Sequence, residues 1–246
     1  MLSARQTVAL AERVLCERYP RARCGFAAGS LIRGDGTEGS DLDLIVLFAT
    51  LPNASRRSFK FDGTAIEAFI HDPETLAWAL KEDRRVGRPA MINMIAECRL
   101  VGPELEEGRR WRTRAKALLR TGPGPLSDER RDQLRYHVGD RIEDLRDPRT
   151  SAETIALGVS LFDPLAELAL RSRGAWSANG KWIPKRLAAL DPDLADAFSS
   201  AFEALFARHD PTAVIALAEA VSAPVGGLLF EGYESAWPPG NRVTTT

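Results

Sequence analysis

Cysteines, histidines and long apolar runs are scarce in this 246-residue sequence, which contains three cysteines and three histidines. Cys16, Cys24 and Cys98 are too few and too irregularly spaced for a disulfide framework or a zinc site. No apolar stretch approaches the ~20 residues that a membrane-spanning helix needs. Charged residues interrupt the N-terminal segment, which therefore lacks a signal-peptide pattern. We expect a soluble enzyme with a cytoplasmic location and no membrane partner.

An excess of one charge sign is missing as well. The sequence has 33 Lys and Arg against 34 Asp and Glu, a formal net charge of −1. This balance argues against a dedicated nucleic-acid binder of the strongly basic kind, so a long nucleic acid is not an expected partner. Hydrophobic residues make up 44% and charged residues 27% of the chain, which is enough apolar material for a packed core.

The most informative segment runs from Ala27 to Phe48. At its start, Gly29 and Ser30 form a turn whose backbone N–H groups can approach a phosphate closely, because glycine has no Cβ in the way. Asp41 and Asp43 open an apolar, β-branched strand and point to the same side of it. Such a pair is a seat for a hard divalent cation, usually Mg²⁺. Turn and strand occur together at motif spacing, which favours nucleoside triphosphate chemistry over two aspartates that merely cap a strand.

The segment resembles the signature of the polymerase-β-like nucleotidyltransferase superfamily, in which a hydrophobic residue and Gly-Ser precede Asp-x-Asp in a hydrophobic strand. The resemblance covers residues 20–105. It implies a third carboxylate on a neighbouring strand, and Glu67 is the only charged residue in the short strand predicted at Thr64–Ile70. Many members have Asp at this place, but Glu is also used.

The resemblance also implies a reaction and a role for each residue. A nucleoside monophosphate would pass from a nucleoside triphosphate, by default ATP, to an acceptor hydroxyl, with two Mg²⁺ ions as cofactors. Glu67 would bind the second metal ion, accept the hydroxyl proton, or both. The remaining roles are metal binding by Asp41 and Asp43, phosphate binding by Gly29 and Ser30, and one further phosphate contact from Ser40.

Three cations are candidates for binding the triphosphate. Arg33 follows Ser30 by three residues. Lys181 and Lys185 flank Trp182 after a flexible turn, and helical-domain lysines contact phosphates in related enzymes. A solvated loop that leads into a helix explains these two lysines equally well.

The order of predicted elements indicates an α+β protein in two parts. Residues 1–120 form the predicted nucleotidyltransferase domain, a mixed β-sheet with flanking helices. Within it, residues 51–60 are predicted as a loop, with the alternative that residues 59–61 form a hairpin with the Glu67 strand through an Asp62-Gly63 turn. Two glycines and two prolines in Thr121–Pro125 mark the boundary, since they cannot continue a helix. Residues 126–237 show only helical spacing and predict an α-helical bundle. Residues 238–246 are predicted to be a flexible tail.

This layout resembles bacterial aminoglycoside and lincosamide adenylyltransferases, which implies a small hydroxylated acceptor, for example an aminoglycoside-type antibiotic. A protein or tRNA acceptor, as in toxin–antitoxin systems, is the second hypothesis. A non-catalytic nucleotide-binding regulatory module is the third, although the three intact acids argue against it. Some related adenylyltransferases share a cleft between subunits, so a homodimer is a further expectation.

Overall fold

The described part of the chain, residues 3–236 of a computed structural model, divides into two units between Gly124 and Pro125. The predicted tail at 238–246 and the last residue of the predicted helical domain lie outside the described residues. The elements of the first unit, in chain order, are α1 (Ala4–Arg18), β1 (Cys24–Ala28), α2 (Ser30–Arg33), β2 (Leu42–Leu47), β3 (Ser55–Phe61), β4 (Thr64–His71), α3 (Pro73–Val86), α4 (Ala90–Glu97), β5 (Arg99–Val101) and α5 (Leu105–Thr121).

The five strands form one mixed sheet in the order β3-β4-β2-β1-β5. β2 occupies the centre, antiparallel to β1 and parallel to β4. Its apolar side chains explain this place, because Leu42, Leu44 and Val46 are buried on one face and Ile45 and Leu47 on the other. The expected mixed sheet with flanking helices is therefore confirmed.

The predicted loop at residues 51–60 is wrong from Ser55 onwards, since β3 begins there and pairs with β4 in an antiparallel hairpin. The alternative of a hairpin at residues 59–61 is confirmed, although the strand is longer than predicted. β3 is an edge strand whose residues Ser55–Ser58 are all exposed. An edge strand with no buried residue over this length shows no apolar alternation, so hydrophobic pattern alone does not identify it. Asp62 and Gly63 form the tight turn of the hairpin, both with positive φ.

One face of the sheet packs against α1. Ser3 caps this helix through its side chain in a capping box with Gln6, and the helix buries Leu10, Ala11, Val14 and Leu15 against the sheet. Each fully buried Leu or Val contributes about 1.5–3 kcal/mol relative to an exposed one. α5 covers the opposite face, where Gly108 packs closely against the Leu100 side chain.

In its described part, residues 125–236, the second unit contains helices and connecting segments but no strand, in agreement with the predicted α-helical bundle. Its α-helices are α6 (Asp128–Arg146), α7 (Ser151–Arg171), α8 (Ile183–Leu190), α9 (Pro192–Arg208) and α10 (Thr212–Ser222). Leu134, Leu165, Phe198 and Val214 belong to their shared apolar core. Glu167 is buried and accepts two hydrogen bonds from the Arg130 guanidinium, at 3.0 and 3.1 Å. Among residues 3–236, no helix is both long and apolar enough to cross a bilayer.

Candidate functional site

Three carboxylates meet where β2 enters the sheet. Asp41 directly precedes β2 and Asp43 is its second residue, while Leu42 between them points into the core. The strand alternation therefore turns both aspartates to the same face. In the parallel pairing of β2 with β4, Asp43 lies opposite Glu67. Ligand oxygens of Asp41, Asp43 and Glu67 all lie within 4.8 Å of one another.

This donor set fits a hard divalent cation. Carboxylate oxygens are the ligands that Mg²⁺ prefers, and three convergent anionic side chains repel one another unless a cation or a proton intervenes. Burial, together with the negative charges of Asp41 and Glu67, raises the pKa of Asp43 to about 6. Arg33 and Arg56 act in the opposite direction with smaller effect. A bound cation would relieve the repulsion that raises this pKa.

The Gly-Ser turn lies directly beside the carboxylates. Ala28, the last residue of β1, is paired with Asp43, and the chain turns at Gly29 with φ 88°. An ideal Cβ at position 29 would lie 2.5 Å from Asp43 Oδ2. Both the backbone conformation and this close approach require glycine. Ser30 follows Gly29 as the first residue of α2, so it is the next residue after the glycine that lies against Asp43.

Arg56, which the sequence interpretation missed, contacts the third carboxylate. Its Nε donates a hydrogen bond to Glu67 Oε1 at 2.8 Å, and its Nη2 makes a second, shorter contact with the same oxygen. The guanidinium also lies over the Phe69 ring, 5.2 Å from its centroid. Its exposed fraction is 62%, against 19% for Glu67. Recognition of β3 would have found it, because alternation from Ser58, the partner of Glu67, puts Arg56 on the same face.

Two other predicted contacts, Arg33 and Ser40, are engaged with nearby residues. Arg33 forms ion pairs with Asp35 at 3.3 Å and with Glu97 at 3.6 Å. It lowers the pKa of Asp43, which shows that its charge acts on the carboxylate cluster. Ser40 Oγ accepts a hydrogen bond from the Thr37 backbone N–H at 2.8 Å and so closes the loop before Asp41.

The two predicted lysines belong to the second unit. Lys181 lies in a single 3₁₀ turn (Gly180–Trp182) and Lys185 in α8, and both are exposed. The ammonium of Lys185 lies 4.8 Å from the centroid of the Trp182 ring, a cation–π contact. This contact is local to the second unit, and the phosphate roles of both lysines stay predictions.

No protein-family model matches the sequence, and no curated protein sequence matches it. Among solved structures, it is similar to a nucleotidyltransferase-like protein from Exiguobacterium sibiricum 255-15, with 13% sequence identity and a TM-score of 0.46. The superposition covers 87% of this chain and 74% of that one. The functional proposal therefore depends on the geometry of the carboxylates and their surroundings.

Proposed function

We propose that the chain is a Mg²⁺-dependent nucleotidyltransferase that moves a nucleoside monophosphate, from ATP by default, to an acceptor hydroxyl. The convergence of Asp41, Asp43 and Glu67 beside the Gly29 turn is the observation that carries this proposal. Three carboxylates from a strand pair, next to a glycine turn that admits a phosphate, suit nucleotidyl transfer better than structural metal binding.

In the proposed reaction, the acceptor oxygen bonds to the α-phosphorus, the bond from that phosphorus to the bridging oxygen breaks, and pyrophosphate leaves with the electron pair. Asp41 and Asp43 would hold two Mg²⁺ ions, which supply charge neutralisation at the α-phosphate and the leaving group. Glu67 would complete the metal site, take the hydroxyl proton, or do both. Gly29 and Ser30 would bind the terminal phosphates, with Ser40, Arg33, Lys181 and Lys185 as additional contacts in the proposal.

The acceptor defines the subtype. Our first candidate is a small hydroxylated molecule such as an aminoglycoside-type antibiotic, with a protein or a tRNA end as the alternative. A regulatory module that binds nucleotide without turnover is the third candidate. A cytoplasmic location, where ATP and Mg²⁺ are abundant, and a homodimer are parts of the same proposal.

Calorimetric titration with each nucleoside triphosphate and Mg²⁺ tests the site. We expect one triphosphate to bind in a Mg²⁺-dependent way to the wild type and to Glu12→Gln, a control in the same unit with an exposed carboxylate distant in sequence from the site. Asp43→Asn should abolish the Mg²⁺-dependent part, because it removes a metal ligand. Absence of binding by every triphosphate contradicts the proposal.

A pyrophosphate-release screen against acceptors then separates the subtypes. Release with a small hydroxylated compound supports the first candidate, and release with RNA or protein supports the second. Nucleotide binding without release on any acceptor supports the regulatory module.

A further inference from the structure

An open groove of about 440 Å³ lies between α3 and α5 in the first unit. Ala77, Leu80 and Leu118 supply apolar walls, and Trp78 stands at the rim with 67% of its surface exposed. Exposing this much of a tryptophan costs burial energy that the fold does not recover, which makes an external ligand for the ring the natural explanation.

The groove is bordered by positive charge. Lys81, Arg84 and Arg114 line it together with Trp78. Lys81 and Arg84 follow Trp78 at a helical spacing of three residues, so all three lie along one stripe of α3. The Arg114 guanidinium lies 5.3 Å from the Trp111 ring centroid, which holds it at the α5 side of the groove.

α5 carries further cations: Arg110 shares a face of the helix with Arg114, whereas Arg112 and Lys116 lie on the other flank, near Cys98. The helix carries six cations, of which Arg109 is paired with Glu106; the other five are Arg110, Arg112, Arg114, Lys116 and Arg120. Within the described residues 3–236, no ion pair is formed by Arg112, Arg114, Lys116 or Arg120. A cluster of cations without carboxylate partners creates a local positive potential, even though the chain as a whole has a net charge of −1.

The groove also has a defined relation to the carboxylates within the first unit. α3 follows His71, which is paired with Leu47 at the end of β2 remote from Asp43. α5 begins nearby, since the Glu104 N–H donates to the Arg23 carbonyl and the Arg23 N–H donates to the Leu47 carbonyl. The N-terminal ends of both helices therefore lie at the end of the sheet remote from the carboxylates.

The C-terminal ends of α3 and α5 are tied together. The Gly124 N–H donates to the Arg84 carbonyl at 2.8 Å, and Arg84 Nε donates to the Gly122 carbonyl at 3.3 Å. Arg84 is thereby fixed where the C-terminal ends of the two helices meet. A linear ligand in the groove would have a positively charged path along one side of the first unit.

We propose that the α3–α5 groove and the exposed cations of α5 form a binding surface for a single-stranded nucleic acid. Phosphates would pair with Lys81, Arg84, Arg114 and the outer cations of α5, and an unpaired base would stack on Trp78. Stacking on an aromatic side chain beside a cationic track is how proteins bind single strands without reading sequence.

The exposed tryptophan decides between single and double strands. A base inside a duplex is stacked on both sides and offers no face to Trp78, whereas an unpaired base does. The cations alone would also attract an acidic peptide, but the flat ring in the groove gives such a peptide no matching group. The inference does not rest on nucleotidyl transfer, since binding is measured without nucleotide or metal.

Fluorescence anisotropy of labelled 12-nucleotide RNA and DNA single strands, in EDTA and at several salt concentrations, tests this surface. Trp78→Ala should weaken binding roughly tenfold. The matched control is Phe230→Ala, which removes a side chain that is 70% exposed in the second unit. The double variant Arg110→Gln/Arg114→Gln, which changes two residues one helical turn apart on the same face of α5, should reduce the slope of log affinity against log salt by about 1.4, because each lost phosphate contact contributes about 0.7. The matched control for charge is Arg5→Gln/Arg208→Gln, which removes two exposed cations elsewhere.

Binding of either strand with these losses supports the surface, and the RNA and DNA arms identify which nucleic acid it prefers. Four results overturn it: no binding at 50 mM salt, equal losses in the control variants, equal affinity for a 12-base-pair duplex, or equal affinity for a deca-glutamate peptide. Circular dichroism of each variant shows whether a loss of affinity comes from unfolding. Arg114→Lys retains the positive charge and should therefore keep the salt slope of the wild type.

Discussion

Replacement of Asp43 by Asn should stabilise the metal-free protein at neutral pH. Burial and the neighbouring carboxylates raise the pKa of Asp43 from 3.8 to about 6, so folding favours its protonated form. The stabilising contribution of this group is therefore complete below pH 4 and is lost as the pH rises through 6. Asparagine stays neutral at every pH and retains that contribution.

The shift of about two pKa units corresponds to about 3 kcal/mol at 1.36 kcal/mol per unit. In EDTA, the free energy of unfolding of Asp43→Asn should equal that of the wild type near pH 4 and exceed it by up to about 3 kcal/mol above pH 7. Thermal and urea unfolding measured between pH 4 and 8 give this difference directly. Carboxylates outside the cluster of Asp41, Asp43 and Glu67 titrate alike in both proteins and cancel in the comparison.

Excess Mg²⁺ should reverse the order. Metal binding stabilises the folded wild type by an amount that grows with the logarithm of the metal concentration, about 4.1 kcal/mol at a thousand times Kd, which exceeds the difference of about 3 kcal/mol. The variant, which lacks a ligand, should gain much less. Glu12→Gln controls for the loss of a surface charge and should leave both series unchanged. An Asp43→Asn protein that is no more stable than wild type at pH 8 in EDTA would refute the electrostatic reasoning.

Three further predictions concern the same site. Gly29→Ala should destabilise the protein by more than Gly63→Ala, because both positions have positive φ but only a Cβ at 29 meets Asp43. Thermal unfolding of the two variants measures the cost of this clash, and equal losses of stability would contradict the prediction. Arg56→Gln should raise the pKa of Asp43 above about 6, because it removes a positive charge that lowers it, and carbon-13 NMR titration of the carboxyl would show no change if Arg56 lay elsewhere. The same variant should bind Mg²⁺ several-fold more tightly at pH 8 by calorimetry, because Glu67 is freed from its guanidinium partner and one like charge is removed; unchanged affinity would show that Arg56 does not compete with the metal.

The central parts of the fold and of the site follow from local patterns in the sequence. The apolar run of β2 and the single charge in β4 were enough to place Asp43 and Glu67 on strands, because strand alternation is a period of two that needs no tertiary information. What brings them together is the register of the parallel pair, which sequence spacing alone does not state. The superfamily resemblance supplied the expectation of a third acid, and the pairing of Asp43 with Glu67 now gives it a geometry.

The contacts of Arg56 and Arg33 could not be predicted in the same way. Arg56 lies on an edge strand without apolar alternation, so its strand and its direction were both hidden. Arg33 lies at the expected distance in sequence from Ser30, but its ion pair with Glu97 joins residues that are far apart along the chain. The cations of α5 are present in the sequence, but the net charge of the whole chain does not indicate that they are concentrated on one helix.

The pairing of Asp43 with Glu67 links correct folding of the sheet to the ability to bind metal. A slip of one residue between β2 and β4 would turn Glu67 into the apolar core and present Ile66 to the two aspartates. The buried carboxylate would cost several kcal/mol, so a sheet in this wrong register lacks the three-carboxylate cluster and is strongly disfavoured. The convergence of the three acids therefore requires the native register of β2 and β4. We expect the fraction of molecules able to bind metal to equal the fraction that has folded with this register.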